Sequence, residues 1–227
     1  MTRRLALLLS AAAVMLTAPH AAAAAAGPAV AGPPGNALDA FNTAFANVSQ
    51  FTYKLHSHEV KGTDVQDRVY DYSFMKPHFA KTLIESGPGR GGGAVWTGGD
   101  QVSGHQGGFL SGIHLKIGLH DGRAVSLRGY TIPDGLPQNI VATYTPTKGT
   151  LTVTSGGKIG GVETDLADLK VNDPASNGGV SEQKLYLSED THFPVRQILY
   201  SGDQVVLDQT FTDWNLNPGL TQNDFPF

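Results

Sequence analysis

His56 and His58 lie two residues apart in the run FTYKLHSHEV, and on an extended strand that spacing turns both imidazoles to one face, where two metal ligands would stand. A metal site needs further ligands, and the sequence does not group them. The chain has no cysteine and no H-E-x-x-H, and His20, His78, His105, His114, His120 and His192 are scattered. Solvent-facing histidines on the polar side of a strand account for the pair, so neither a metal nor a cofactor is expected. The glycine-rich runs at 86–93 (SGPGRGGG) and at Ser155-Gly156-Gly157-Lys158 have the composition of phosphate cradles. Neither fits G-x-x-x-x-G-K-[ST], and turns explain both. There is no G-x-S-x-G elbow for a serine nucleophile. Glu182, Glu189 and Asp190 flank a turn as a solvated surface rather than forming an acid–base pair. A non-enzymatic protein is expected.

What remains is apolar chemistry, carried by Phe51, Tyr53, Leu55, Tyr70, Tyr72, Phe74 and Trp96. In FTYKLHSHEV the residues Phe51, Tyr53 and Leu55 alternate against Thr52, Lys54, His56 and His58, the pattern of a half-buried strand. In RVYDYSF the residues Tyr70, Tyr72 and Phe74 share one face, and Lys76-Pro77 closes the strand because proline cannot donate to a ladder. These rings form either a packed core or the wall of an apolar cavity.

The elements around them follow from the same periodicities. Leu38, Phe41, Phe45 and Val48 recur at helical spacing, with Asn36 as a candidate N-cap, so a short amphipathic helix leads into the first strand. FAKTLIE, AVWTGG and DQVSGH continue a run of short strands. Between 107 and 135, Ile113, Leu115, Ile117 and Leu119 alternate as a strand or as the lining of a covering segment, and glycine and proline exclude a long helix. LPQNIVATY, with Pro137 at a first-turn position, is a short helix. Leu151 and Val153, a turn at SGGK, and then Val162, Thr164 and Leu166 make a hairpin. KLYL, PVRQILY and QVVLDQTFTDW, separated by SEDTHF and SGD, make a three-stranded meander, which ends in a turn and the apolar hook Asn-Asp-Phe-Pro-Phe.

Residues 1–24 carry a basic start, an apolar run and an A-x-A site, which predicts a secretory signal peptide, and the Ala/Gly/Pro-rich 25–35 predicts a disordered lead. One domain over 36–227 is expected. Losing the leader removes Arg3 and Arg4, taking the formal charge from −4 to −6 and arguing against a nucleic-acid partner. Without cysteine the exported chain has neither a disulfide nor a lipidated N-terminal Cys, so it is expected to be periplasmic or secreted and not lipid-anchored.

Taken together, several features resemble the LolA/LolB-like superfamily of periplasmic lipoprotein carriers, which includes outer-membrane lipoprotein-sorting proteins. They are the helix running into Phe51-Thr-Tyr, the Phe74/Lys76-Pro77 element, V-W-x-G-G-x-x-V from Val95 to Val102, T-H-F-P-V-R, the Ser201-Gly202-Asp203 turn and L-N-P-x-L-x-x-x-D-F. The resemblance covers about Asn36 to Phe227 and is strongest at the C-terminus, where Pro194 and Phe225 fall at the family's strand start and closing Phe. It implies an α+β fold: a strongly curved antiparallel β-sheet, a half-barrel, covering the N-terminal amphipathic helix and short additional helices around an apolar cavity. It also implies a monomer that binds the acyl chain of a lipid or lipoprotein, with a membrane-associated donor or acceptor protein as further partner. The alternative is a sensor or interaction module with a filled core.

Overall fold

Apolar periodicity of two dominates the chain after residue 49, and the sheet it builds is large. The protein's structure is a computed structural model that describes residues 36–226; the expected signal peptide and lead lie outside the described residues. Helix α1 (Asn36–Ala46) precedes strands β1 (Gln50–Lys61), β2 (Asp64–Met75), β3 (Phe79–Ser86), β4 (Gly93–Trp96), β5 (Gln101–His105) and β6 (His114–Gly118). After helix α2 (Pro137–Ala142) come β7 (Gly149–Ile159), β8 (Val162–Val171), β9 (Glu182–Ser188), β10 (Pro194–Ser201) and β11 (Gln204–Asn215). All belong to one 11-stranded sheet of order β6-β5-β4-β3-β2-β1-β11-β10-β9-β8-β7, antiparallel throughout and not closed into a barrel. Neighbours in the sheet are neighbours in sequence, with one exception. β1 and β11 pair across the whole chain, joining two meanders into one sheet.

Two local features depart from simple alternation. The SGGK run is not the turn of the β7–β8 hairpin. Gly157, at φ +69°, absorbs a register shift within β7, and its carbonyl accepts the Thr164 hydroxyl at 2.8 Å. The chain reverses at Gly160-Gly161 instead, where positive φ at both residues (+56° and +90°) gives the two-residue loop that matches strand twist. In β11, strict alternation would send Phe211 and Trp214 to opposite faces. A bulge at Asp213, a non-glycine residue at φ +55°, lets Thr52 pair with Asn215 and Lys54 with Thr212, and so turns Trp214 back to the side of Phe211. This bulge completes the core.

The core is aromatic. Phe51 and Phe74 face each other in register with ring centroids 4.9 Å apart, and Tyr53 and Tyr72 stack at 4.9 Å. Trp214 lies 4.5 Å from Tyr53, 5.7 Å from Phe51 and 5.1 Å from Phe193. From the helix side, Phe41 meets Phe193 at 5.5 Å, while Phe45 reaches Phe51 and Phe74, each at 6.4 Å. Leu136, Ile140, Val141 and Tyr144 of and around α2 join the same cluster. The C-terminal hook docks as well: Phe225 is buried and meets Phe79 at 5.8 Å, and Thr221 and Asp224 cap the preceding turn reciprocally.

Phe41 is completely buried, so Phe41→Ala should cost about 3–5 kcal/mol in urea unfolding; an unchanged midpoint would mean that α1 is an appendage. Phe225→Ala should cost about 2 kcal/mol, because its ring is withdrawn from water against β3, and no loss would show that the hook is not held in solution.

Candidate functional site

Along the inner face of the sheet the residue types change in order. Phe51/Phe74, Tyr53/Tyr72 and Leu55/Tyr70 pair across β1 and β2, and the next inward pairs are Ser57/Arg68 and Glu59/Gln66. The same change runs across the neighbouring strands. Ser57 faces Gln209 on β11, Gln209 faces Gln197 on β10, and Leu199 of β10 faces Gln183 on β9. Ser57, Gln209, Gln197 and Gln183 are all buried, so a polar band crosses the interior beside the aromatic core. Gln209 donates to Ser57 Oγ at 3.4 Å, Gln197 to the Tyr144 hydroxyl at 3.4 Å, and Thr143 to Gln183 Oε1 at 3.2 Å. Buried amides stay in place when partnered in this way.

Between this band and residues 122–148 lies a chamber of ≈ 890 Å³. Its apolar lining includes Leu55, Tyr70, Tyr72, Ile84, Ile140 and Leu199, and its polar lining includes Ser57, Glu59, Arg68, Arg128, Gln183 and Gln209. The covering segment is pinned over it at several points. The Tyr53 hydroxyl donates to the Gly135 carbonyl at 2.7 Å, and a Cβ on Gly135 would stand 2.3 Å from the Tyr72 oxygen, so only glycine fits there. Glu59, although buried, keeps its carboxylate hydrogen-bonded: Oε2 accepts the Ser126 hydroxyl at 2.7 Å and the Arg128 N–H at 2.9 Å. Arg128 extends along the roof, donating to the Val60 carbonyl at 2.8 Å and the Gly178 carbonyl at 3.4 Å, while its buried Nε has no hydrogen-bond partner among the described residues.

The seven residues singled out in the sequence divide into groups. Leu55, Tyr70 and Tyr72 line the chamber. Phe51, Tyr53 and Phe74 are buried in the aromatic core and are not part of the chamber lining. Trp96 is half-buried on β4, its indole N–H donating to the Gly99 carbonyl at 2.9 Å. The polar half of the lining was not singled out. Ser57 and Glu59 continue the inward phase of Phe51, Tyr53 and Leu55, so alternation carried past the last apolar residue points to them. The outward phase holds the histidines, with His58 Nδ1 2.7 Å from Asp67 and His56 Nε2 3.5 Å from the Thr212 hydroxyl.

No protein-family model and no curated protein matches the sequence. Solved structures do match. MucB is 12% identical with a TM-score of 0.53, covering 86% of this chain and 62% of its own. The Mycobacterium tuberculosis lipoprotein LppX is 15% identical with a TM-score of 0.50, covering 82% of this chain and 95% of its own. A LolA superfamily protein from Nitrosomonas europaea aligns at 10% identity and a TM-score of 0.42, over 84% and 97% of the two chains. At such identities the likeness to MucB and LppX speaks for the fold alone, which this chain shares with them. The chain spans less than two thirds of MucB.

The tyrosines of this interior give a pH prediction. Burial raises the phenols of Tyr53, Tyr72 and Tyr144 far above their ordinary value, and those of Tyr70 and Tyr130 less far. Below about pH 10, the unfolded pKa, these phenols are neutral in both states and stability is complete. Above it the unfolded chain loses protons that the fold retains, so stability falls as pH rises. Tyrosinate absorbance from these five should therefore develop together with loss of circular dichroism above about pH 10. Full ionisation of all seven tyrosines with the fold intact would contradict the packing.

Proposed function

We propose that this chain is an exported, non-enzymatic carrier of the bacterial envelope that holds the acyl chain of a lipid or lipidated protein between its sheet and the segment over it. The observation that carries the reading is the ≈ 890 Å³ chamber, whose lining joins an apolar patch (Leu55, Tyr70, Tyr72, Ile84) to a polar one. Such a lining suits an amphiphile. Moving about ten methylenes from water onto the apolar part would gain about 8 kcal/mol, enough for about micromolar binding. Phe51, Tyr53, Phe74 and Trp96 then act as the wall behind the ligand, against which the lining residues are held.

The fold supports a sheet bent into a half-barrel. Helix α1 touches both β2, through Phe45 and Phe74, and β8, which stand five strand places apart. Flat, those strands would be about 24 Å apart, whereas a helix with its side chains is about 10–12 Å across. A sheet wrapped around the helix reconciles the two. We take residues 36–227 as one working domain that follows a cleaved leader and acts as a monomer. No described helix is long and apolar enough to cross a membrane. A membrane-associated donor or acceptor would meet the exposed Phe109, Ile113 and Leu115, beside the Gly107 and Gly108 that line the chamber.

The close packing of Phe51, Tyr53 and Phe74 favours the second reading, a filled-core sensor or interaction module. Blocking the chamber separates the two. Ile84→Trp, which fills the apolar patch, should weaken binding of a fluorescent acyl probe about tenfold or more, which is about 1.4 kcal/mol, at unchanged circular dichroism. A folded wild type that binds no acyl probe leaves the module.

A further inference from the structure

The charge of the chamber runs against the charge of the protein. The chain as a whole has a formal charge of −4, yet five lining side chains are basic (Arg68, Arg90, Arg123, Arg128 and Lys148) and two are acidic (Glu59 and Asp134). Of the five arginines among the described residues, four line this one space; the fifth, Arg196, is paired with Asp208 at 2.6 Å.

The two carboxylates are held by neutral donors and keep their charge against the five bases. Glu59 accepts from Ser126 and the Arg128 backbone, and Asp134 accepts the Thr131 N–H at 2.8 Å and the Thr131 hydroxyl at 2.6 Å. Arg123 is neutralised by a bidentate pair with Asp121, at 2.9 and 2.8 Å. Arg68 and Arg128 are held differently. Arg68 Nε donates to the Pro88 carbonyl at 2.7 Å and its Nη1 to the Tyr70 hydroxyl at 3.3 Å, while Arg128 is held by the Val60 and Gly178 carbonyls. Neutral acceptors fix the direction of a guanidinium without cancelling its charge. The Arg128 Nε, buried and unfilled, is a donor that an incoming oxygen would satisfy. Arg68 also stands one inward pair beyond Leu55/Tyr70, where the apolar part of the lining ends.

We propose that this end of the chamber is an anion subsite. Arg68 and Arg128, with Arg90 at the exposed rim, take the phosphate or carboxylate head of an amphiphile whose chain lies on the apolar patch. The inference rests on the carrier reading for the chain and on the arginines for the head. Charge-assisted bonds from a guanidinium to an oxyanion are about twice as strong as neutral ones, so the head decides which amphiphile binds.

The test uses the full chain, stripped of lipid, titrated calorimetrically with short-chain phosphatidylglycerol, with phosphatidylcholine of the same chains, and with inorganic phosphate. Phosphatidylglycerol should bind about tenfold or more tightly than phosphatidylcholine. Arg68→Gln/Arg90→Gln should lower phosphatidylglycerol affinity about tenfold more than phosphatidylcholine affinity. Arg128→Gln should do the same, and because Arg128 also ties the roof to Val60 and Gly178, the double variant stands as the decisive one if Arg128→Gln does not fold. Equal affinity for the two lipids, or a preference that survives Arg68→Gln/Arg90→Gln, overturns the inference while leaving a carrier. Binding of phosphate with no binding of either lipid upholds the anion subsite and overturns the carrier. Binding of none of the three overturns both.

Discussion

The stacking of aromatic rings between β1, β2, β11 and α1 is the interaction on which the rest of the molecule depends. Phe51 meets Phe74, Tyr53 and Trp214, Tyr53 stacks on Trp214, and Phe41, Phe45 and Phe193 close over them. Offset and edge-on contacts of this kind add to the area that each ring withdraws from water. They also fix geometry, because rings in contact on three sides have few alternative rotamers. With that side of the interior filled, the sheet and the covering segment are held at a set separation elsewhere. The chamber is the space this separation leaves.

Much of this was legible in the sequence, and the parts that were not have physical reasons. The strands of β1 and β2, and the faces of their aromatic residues, follow from alternation, since each has one side in the core. Helix α2 follows from Pro137 at its first turn. The β7–β8 turn does not, because two glycine pairs lie within a few residues and only the pairing with β8 decides between them. The Asp213 bulge is equally hidden. A residue at positive φ near the end of β11 has no local signature, yet it brings Trp214 into the core. The lining of the chamber is legible in part: Leu55, Tyr70 and Tyr72 stand out by their apolar character, while Ser57, Gln183, Gln197 and Gln209 do not, because inward polar residues look like breaks in a pattern.

Those polar residues are the costly part of the design. A buried glutamine gains nothing over leucine in core stability, and it requires a partner to avoid a loss of about 1–3 kcal/mol. Three such glutamines and a serine in one band, beside a buried glutamate and two arginines held by carbonyls, depart from what folding alone would select. The aromatic core supplies stability and the polar band departs from it, side by side on the same strands.

The β1–β11 ladder has a further consequence, in time rather than in space. Each meander is built from neighbours in sequence and can form from local hairpins, but Leu55 meets Phe211 only by closing a loop of nearly the whole sheet. Contacts of such separation form late, after the entropy of closing the loop has been overcome. Until then β1 and β11 are both unpaired edges with aromatic faces, the form of strand most prone to wrong association. Enclosure of the interior therefore needs the eleventh strand, and a chain that has not yet supplied it leaves the edge of β1 open.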